Sequence, residues 1–214
     1  MAAQHNPSLG LAFEALNLRF NPFGQLPSEE LAQVAVSDLP LAELGEQLSQ
    51  GVIIQFLAKS GRGKSTHLHH LRSLFPEAPY YYYPECGPKP VLGDAPLMFL
   101  DETQRLSLVE RLKLWRSGKN FVIATHLNHV WEFKACGRRF LSVRLRGLTV
   151  DKLREVVRGR LEHARRTPGP LPYLSDDDLK KLITRYGDNL YAIENELYEV
   201  FQQQKELSRV TLRF

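Results

Sequence analysis

The run Ala58-Lys59-Ser60-Gly61-Arg62-Gly63-Lys64-Ser65-Thr66 carries the residue types and spacing of a phosphate cradle. It follows the pattern G-x-x-x-x-G-K-[ST], with Ala58 standing at the first glycine, where a strand should end. Gly61 and Gly63 let the backbone curl its N–H groups around an anion. A helix starting near Lys64 adds its positive N-terminal end. In that setting Lys64 reaches the β and γ phosphates of a nucleotide, and the Ser65 hydroxyl holds Mg²⁺.

A second chemical stretch, Pro96-Leu97-Met98-Phe99-Leu100-Asp101-Glu102, delivers two carboxylates at the end of an apolar strand, the Walker B arrangement. Open α/β sheets bind ligands at that edge. Asp101 is expected to bind Mg²⁺ through water, and Glu102 to orient and deprotonate the water that attacks the γ phosphate. A third strand, Phe121-Val122-Ile123-Ala124-Thr125-His126, also ends in polar residues. Thr125 can hydrogen-bond the γ phosphate or the attacking water, with His126 competing for the role; both could instead cap the following turn. His67, His69 and His70 lack the facing i, i+4 pair that a helical metal site favours.

These groups need elements to hold them. Val52, Ile53, Ile54, Phe56 and Leu57 read as a strand buried on both faces, followed by a loop and a helix carrying Leu68, Leu71 and Leu74. Before it, residues 33–36 suggest a short strand, and Ser37 or Asp38 would cap a helix with a Leu41, Leu44, Leu48 stripe that Gly51 ends. After it, residues 80–83, four tyrosines, predict a packed strand with polar tips rather than a base-stacking platform. The Pro- and Gly-rich stretch up to Pro96 predicts no crossover helix, so either that helix is missing or the two strands are not neighbours. A helix over 106–115 and an alternating strand up to Leu145 complete the core. Helices over 149–166, after Ser175 and over 189–206 follow, separated by a Pro-Gly linker and by Gly187. The expected organisation is an α/β P-loop parallel sheet flanked by helices at 25–147, an N-terminal arm at 1–24 and a small all-helical lid at 148–214.

The chain is 43% hydrophobic and 24% charged, an ordinary composition for a soluble globule. No apolar run approaches the roughly 20 residues of a membrane span, and a cytoplasmic location is expected. Cys86 and Cys136 are far apart and read as reduced. Net charge is +4, but residues 134–166 hold eleven Lys or Arg against three Asp or Glu. That bias suits an anionic partner, nucleic acid or a neighbouring subunit's phosphate, or merely a solvated helix face.

Taken together, the phosphate loop, the Asp-Glu strand, the strand ending in Thr125, Arg138-Arg139-Phe140 before a last strand, and a helical lid resemble an AAA+ ATPase over most of the chain. The Asn21-Pro22-Phe23 turn is similar to that of bacterial members of the transposition-regulator and secretion-associated type, where it lies near the nucleotide base. The resemblance implies ATP as nucleotide, Thr125 as sensor 1, and Arg138 or Arg139 as a finger given to a neighbouring subunit's ATP. Tyr191 falls nearest the position of the family's lid arginine.

Two functions follow from this reading. One is an ATPase that binds and hydrolyses ATP with Mg²⁺ at subunit interfaces of a homo-oligomer and acts as a switch or assembly factor on DNA or a partner protein. The other is an ATP-binding adaptor with negligible turnover. A transporter ATPase would need a Leu-Ser-Gly-Gly-Gln segment, and a GTPase an Asn-Lys-x-Asp segment; the sequence has neither.

Overall fold

The computed structural model describes residues 13–36, 39–145, 147–204, 207, 210 and 212. The chain divides into two compact units, residues 28–146 and residues 1–27 with 147–214.

The first unit is built on a parallel sheet of β1 (Ile53–Leu57), β2 (Tyr80–Tyr82), β3 (Leu97–Asp101), β4 (Asn120–Thr125) and β5 (Phe140–Arg144), in the order β2-β3-β4-β1-β5. Successive side chains of a strand face opposite sides, so the uninterrupted apolar runs feed two cores. On one side Ile54, Phe56, Phe99, Val122 and Ala124 pack with Leu44, Leu48, Leu68 and Leu71. These come from α2 (Leu41–Ser49) and α3 (Lys64–Arg72), and α1 (Ser28–Gln33) also lies against α3. On the other side Ile53, Met98, Leu100, Phe121 and Ile123 meet Trp115 and Phe133. Those two belong to α4 (Leu108–Arg116) and α5 (Val130–Ala135). Each fully buried side chain of this size contributes about 1.5–3 kcal/mol.

Several sequence expectations change here. Residues 33–36 are not a strand; Gln33 is the last residue of α1 and 34–36 follow it, and the Val34 amide still bonds the Glu30 carbonyl at 3.3 Å. Ser37 and Asp38, expected as caps, lie outside the described residues. β2 and β3 are parallel neighbours, with Tyr81 opposite Leu100, and the connection between them has no helix. Hydroxyl and charge contacts hold that connection instead. The Gly93 amide donates to the Tyr81 hydroxyl at 2.8 Å, Lys89 pairs with Glu110 at 2.7 Å, and Lys119 pairs with Asp94 at 2.7 Å.

The second unit is helical: α6 (Val150–Ala164), α7 (Asp176–Tyr186) and α8 (Leu190–Gln203). Thr149, Ser175 and Asn189 cap the three N-termini with side-chain acceptors. Of the arm expected at 1–24, residues 13–24 are described, and they pack within this unit. Phe13, Leu16, Leu18 and Phe23 are buried in the same core as Leu153, Leu161, Leu182, Leu197 and Phe201. In the Asn-Pro-Phe turn, Asn21 donates to the Tyr198 carbonyl at 2.9 Å and accepts from the Phe23 amide at 3.0 Å. The Phe23 ring meets Phe201 edge-on at 5.2 Å.

Candidate active site

All the strands are parallel, so their C-terminal ends share one edge, and β1, β3 and β4 bring three loops there. The loop after β1 turns on Gly61 (φ 74°) and Gly63 (φ 73°), both in the left-handed region that glycine reaches without a Cβ penalty. Ala58 is not in that region. Its amide bonds the Thr125 carbonyl at 3.3 Å and so prolongs the ladder, which is why alanine is accommodated at the pattern's first position. Gly63 is the N-cap of α3, whose first residue is Lys64. His67, one turn on, sets its Nδ1 2.8 Å from the Gly63 carbonyl and braces the loop from below.

Lys64 is nearly enclosed, at 4% exposure. Its ammonium donates to the Lys59 carbonyl at 3.1 Å and stands 3.3 Å from His126 Nε2. Burial pushes the ammonium below its ordinary pKa, and the charges of Glu102 and Asp101 push back. The opposing carboxylates come from β3. Asp101 is 1% exposed, and burial raises its carboxyl above the ordinary range against hydrogen bonds from Ser65 and Tyr80. Tyr80 donates to Oδ2 at 3.0 Å, while Oδ1 is buried without any hydrogen-bond partner. A buried carboxylate oxygen left orphaned beside a serine hydroxyl is the donor set that a hydrated Mg²⁺ fits, so Ser65 and Asp101 pass that test.

Glu102 adopts φ 62°, left-handed for a side chain with a Cβ, which costs of order 1 kcal/mol. Its amide bonds the Ala124 carbonyl at 2.9 Å, tying the turn to β4. Three side chains surround its carboxylate: Gln104 donates to Oε2 at 2.6 Å, Arg105 pairs with Oε2 at 3.2 Å, and His126 Nε2 lies 3.4 Å from Oε1. Gln104 also accepts from the His126 amide at 3.2 Å, so one amide side chain holds both strand tips. Lys64, Glu102 and His126 therefore converge.

Thr125 does not join them. Its side chain has no exposure, and its Oγ1 bonds the Leu127 amide at 3.0 Å and stands 3.2 Å from His129 Nε2. Arg138 and Arg139 are at the other end of the sheet, where the Arg139 carbonyl accepts from the amide of Ile53, the first residue of β1. Arg138 is committed to its own chain. It donates to the Trp115 carbonyl at 3.0 Å, the Lys119 carbonyl at 2.6 Å and Asn120 Oδ1 at 3.3 Å, and burial lowers its pKa. Arg139 is exposed, with one long bond of 3.5 Å to the Gln50 carbonyl. Tyr191 is the second residue of α8 and 60% exposed.

Four of the eleven basic residues of 134–166 are paired with acids. Arg154 pairs with Asp151 and Asp176, Arg160 with Glu194, Arg165 with Glu162, and Arg166 with Glu14.

No family model matches this sequence, and no curated protein does. Solved structures do match. A RuvB mutant from Thermotoga maritima superposes with a TM-score of 0.53 at 13% identity, over 78% of this chain and 62% of that one. Another RuvB structure, titled a Holliday junction branch migration motor, gives 0.51 at 15% identity, over 79% and 65%. Domain III of the Thermotoga maritima replication initiation protein DnaA gives 0.54 at 13% identity, over 83% and 89%. The chain thus spans less than two thirds of the RuvB chains. The parallel sheet flanked by helices is the fold that these RuvB and DnaA structures share with this chain.

Within this fold, three site residues escaped sequence reasoning. Gln104 sits in a 3₁₀ turn (Thr103–Arg105), where nothing in the sequence announces it. Tyr80 was one of four tyrosines with nothing to say which hydroxyl would meet Asp101. His129 lies in a polar loop, and its contact with Thr125 at i−4 was the only available signal.

Proposed function

We propose that the chain is a Mg²⁺-dependent ATPase of the AAA+ type, working as a nucleotide-driven switch or assembly factor on DNA or a partner protein. One observation carries this: His126 Nε2 stands within 3.4 Å of both Lys64 Nζ and Glu102 Oε1, at the edge where Asp101 keeps an unpartnered oxygen. Loop amides of residues 58–66 cradle the phosphates, and Lys64 moves from the Lys59 carbonyl to the β and γ oxygens. Ser65 and Asp101 hold Mg²⁺, which supplies charge neutralisation on the phosphates. Glu102 orients the attacking water and accepts its proton, and His126 faces the γ phosphate in the sensor role. Arg139, at the opposite edge, is the residue offered to a neighbouring subunit's nucleotide.

A second reading, an ATP-binding adaptor with negligible turnover, is favoured by the hold of Gln104 and Arg105 on the Glu102 carboxylate. For the client, the likeness to RuvB, a Holliday junction branch migration motor, points to DNA, whereas the ion pairs along α6 favour a protein. DNA binding through that helix would weaken steeply with salt. Calorimetry with Mg²⁺ and ATP tests the nucleotide site. Binding by the parent protein that is lost in Lys64→Ala supports the reading, and equal binding by both refutes it.

A further inference from the structure

Behind the strand tips lies a buried polar network that the nucleotide site does not itself explain. Glu132 of α5, with no exposure, accepts two bonds from Arg111 Nε (3.1 and 3.0 Å), one from Arg111 Nη2 (2.9 Å) and one from Trp115 Nε1 (2.8 Å). Its Oε1 also lies 3.1 Å from His129 Nδ1. With the Nδ1 proton given to Glu132, His129 Nε2 holds its single lone pair within reach of two hydroxyls, Thr103 Oγ1 at 3.3 Å and Thr125 Oγ1 at 3.2 Å, the second of which also has the Leu127 carbonyl as an acceptor at 3.2 Å. The His129 amide donates to Gln55 Oε1 at 2.9 Å, and Gln55 bonds Ser142 and Asn128, which fixes the loop that carries the imidazole.

The two threonines are the chain neighbours of the reacting groups: Thr103 follows Glu102, and Thr125 precedes His126. We propose that His129 is a positioning residue for hydrolysis, which sets the separation of Glu102 and His126 by holding Thr103 and Thr125 on a single ring nitrogen. This rests on the ATPase reading above. An apolar ring would fill the space, since Trp115 and Phe133 already pack against the imidazole with centroids at 5.9 and 6.2 Å. What an apolar ring lacks is the acceptor that joins the tips of β3 and β4. Burial keeps the imidazole below its ordinary pKa, in the neutral form this role needs.

The test compares the parent with Thr103→Val, Thr103→Ser and His129→Phe. Steady-state phosphate release should show kcat falling about 10- to 100-fold in Thr103→Val and His129→Phe with KM for ATP unchanged, because a misplaced base costs rate rather than binding. Thr103→Ser should restore kcat. In the nucleotide-free protein, long-range ¹H–¹⁵N spectra of the histidine rings should show His129 protonated on Nδ1, with an Nε2 signal that moves in Thr103→Val and returns in Thr103→Ser. Parent-like kcat in Thr103→Val, or an unmoved Nε2 signal, overturns this inference alone. A parent protein that binds ATP and releases no phosphate overturns the ATPase reading, and this inference with it.

Discussion

His126 Nε2 stands 3.3 Å from the Lys64 ammonium, and the same nitrogen is 3.4 Å from Glu102 Oε1. One ring nitrogen thus faces a donor and an acceptor. It can accept from Lys64 only when unprotonated, and donate to Glu102 only when protonated. A phosphate that draws Lys64 away removes the donor and leaves His126 free to turn to the incoming charge.

His126→Ala should therefore leave ATP affinity within about threefold and lower kcat by about 10²-fold, the usual cost of one transition-state donor. Thr125→Ser, which retains the hydroxyl bonded to Leu127, should stay near the parent rate. Steady-state kinetics on the two variants checks the assignment, and a parent-like rate in His126→Ala would remove the sensor role from His126.

Asp101→Asn separates the metal from the fold. Oδ1 of Asp101 is buried and unpartnered, and burial raises its pKa, so the carboxylate opposes folding more as pH rises through the folded value. Relieving a buried unsatisfied charge of this kind is worth about 1–3 kcal/mol. The nucleotide-free variant should melt at or above the parent temperature at pH 7.5, while the extra stabilisation by ATP with Mg²⁺ disappears. Unchanged Mg²⁺-dependent stabilisation would remove Asp101 from the metal site.

Arg138 and Arg139, adjacent in sequence, should behave differently. Arg138→Ala strips donors from two carbonyls and should cost about 1–3 kcal/mol in urea unfolding. Arg139→Ala should change stability by less than about 0.5 kcal/mol. It should lower turnover only at protein concentrations where subunits associate, which light scattering beside the kinetic assay will show. Equal loss at all concentrations would count against a role in trans.

Acid should destabilise the fold between pH 7.5 and 5.5. Burial lowers His69, His70 and His129 below their ordinary pKa, so the unfolded chain takes up protons first and stability falls with pH. Urea midpoints at the two pH values decide this, and a midpoint that rises on acidification would contradict it.

Much of this was legible in the sequence because the signals were local. Gly61 and Gly63 mark the left-handed turns after β1, Lys64 marks the start of α3, and Asp101-Glu102 after an apolar run marks a strand tip. What was not legible depends on pairing across the sheet. Residues 33–36 are β-favouring alone, yet Gln33 ends, and 34–36 follow, a helix that packs on α3. Thr125 and His126 are equally polar neighbours, and only strand alternation, read in register with β1 and β3, decides that the first faces His129 inside and the second faces Lys64. Arg138 and Arg139 likewise differ only through the carbonyls of Trp115 and Lys119, which a sequence does not show.

The central claim is that this edge of the sheet hydrolyses a triphosphate through Glu102. Phosphate release from ATP with Mg²⁺, measured side by side for the parent and Glu102→Gln, tests it most directly. Turnover by the parent that falls at least about 10²-fold in Glu102→Gln, with ATP still bound by both, is the predicted result. Turnover that is the same in the two proteins would contradict it.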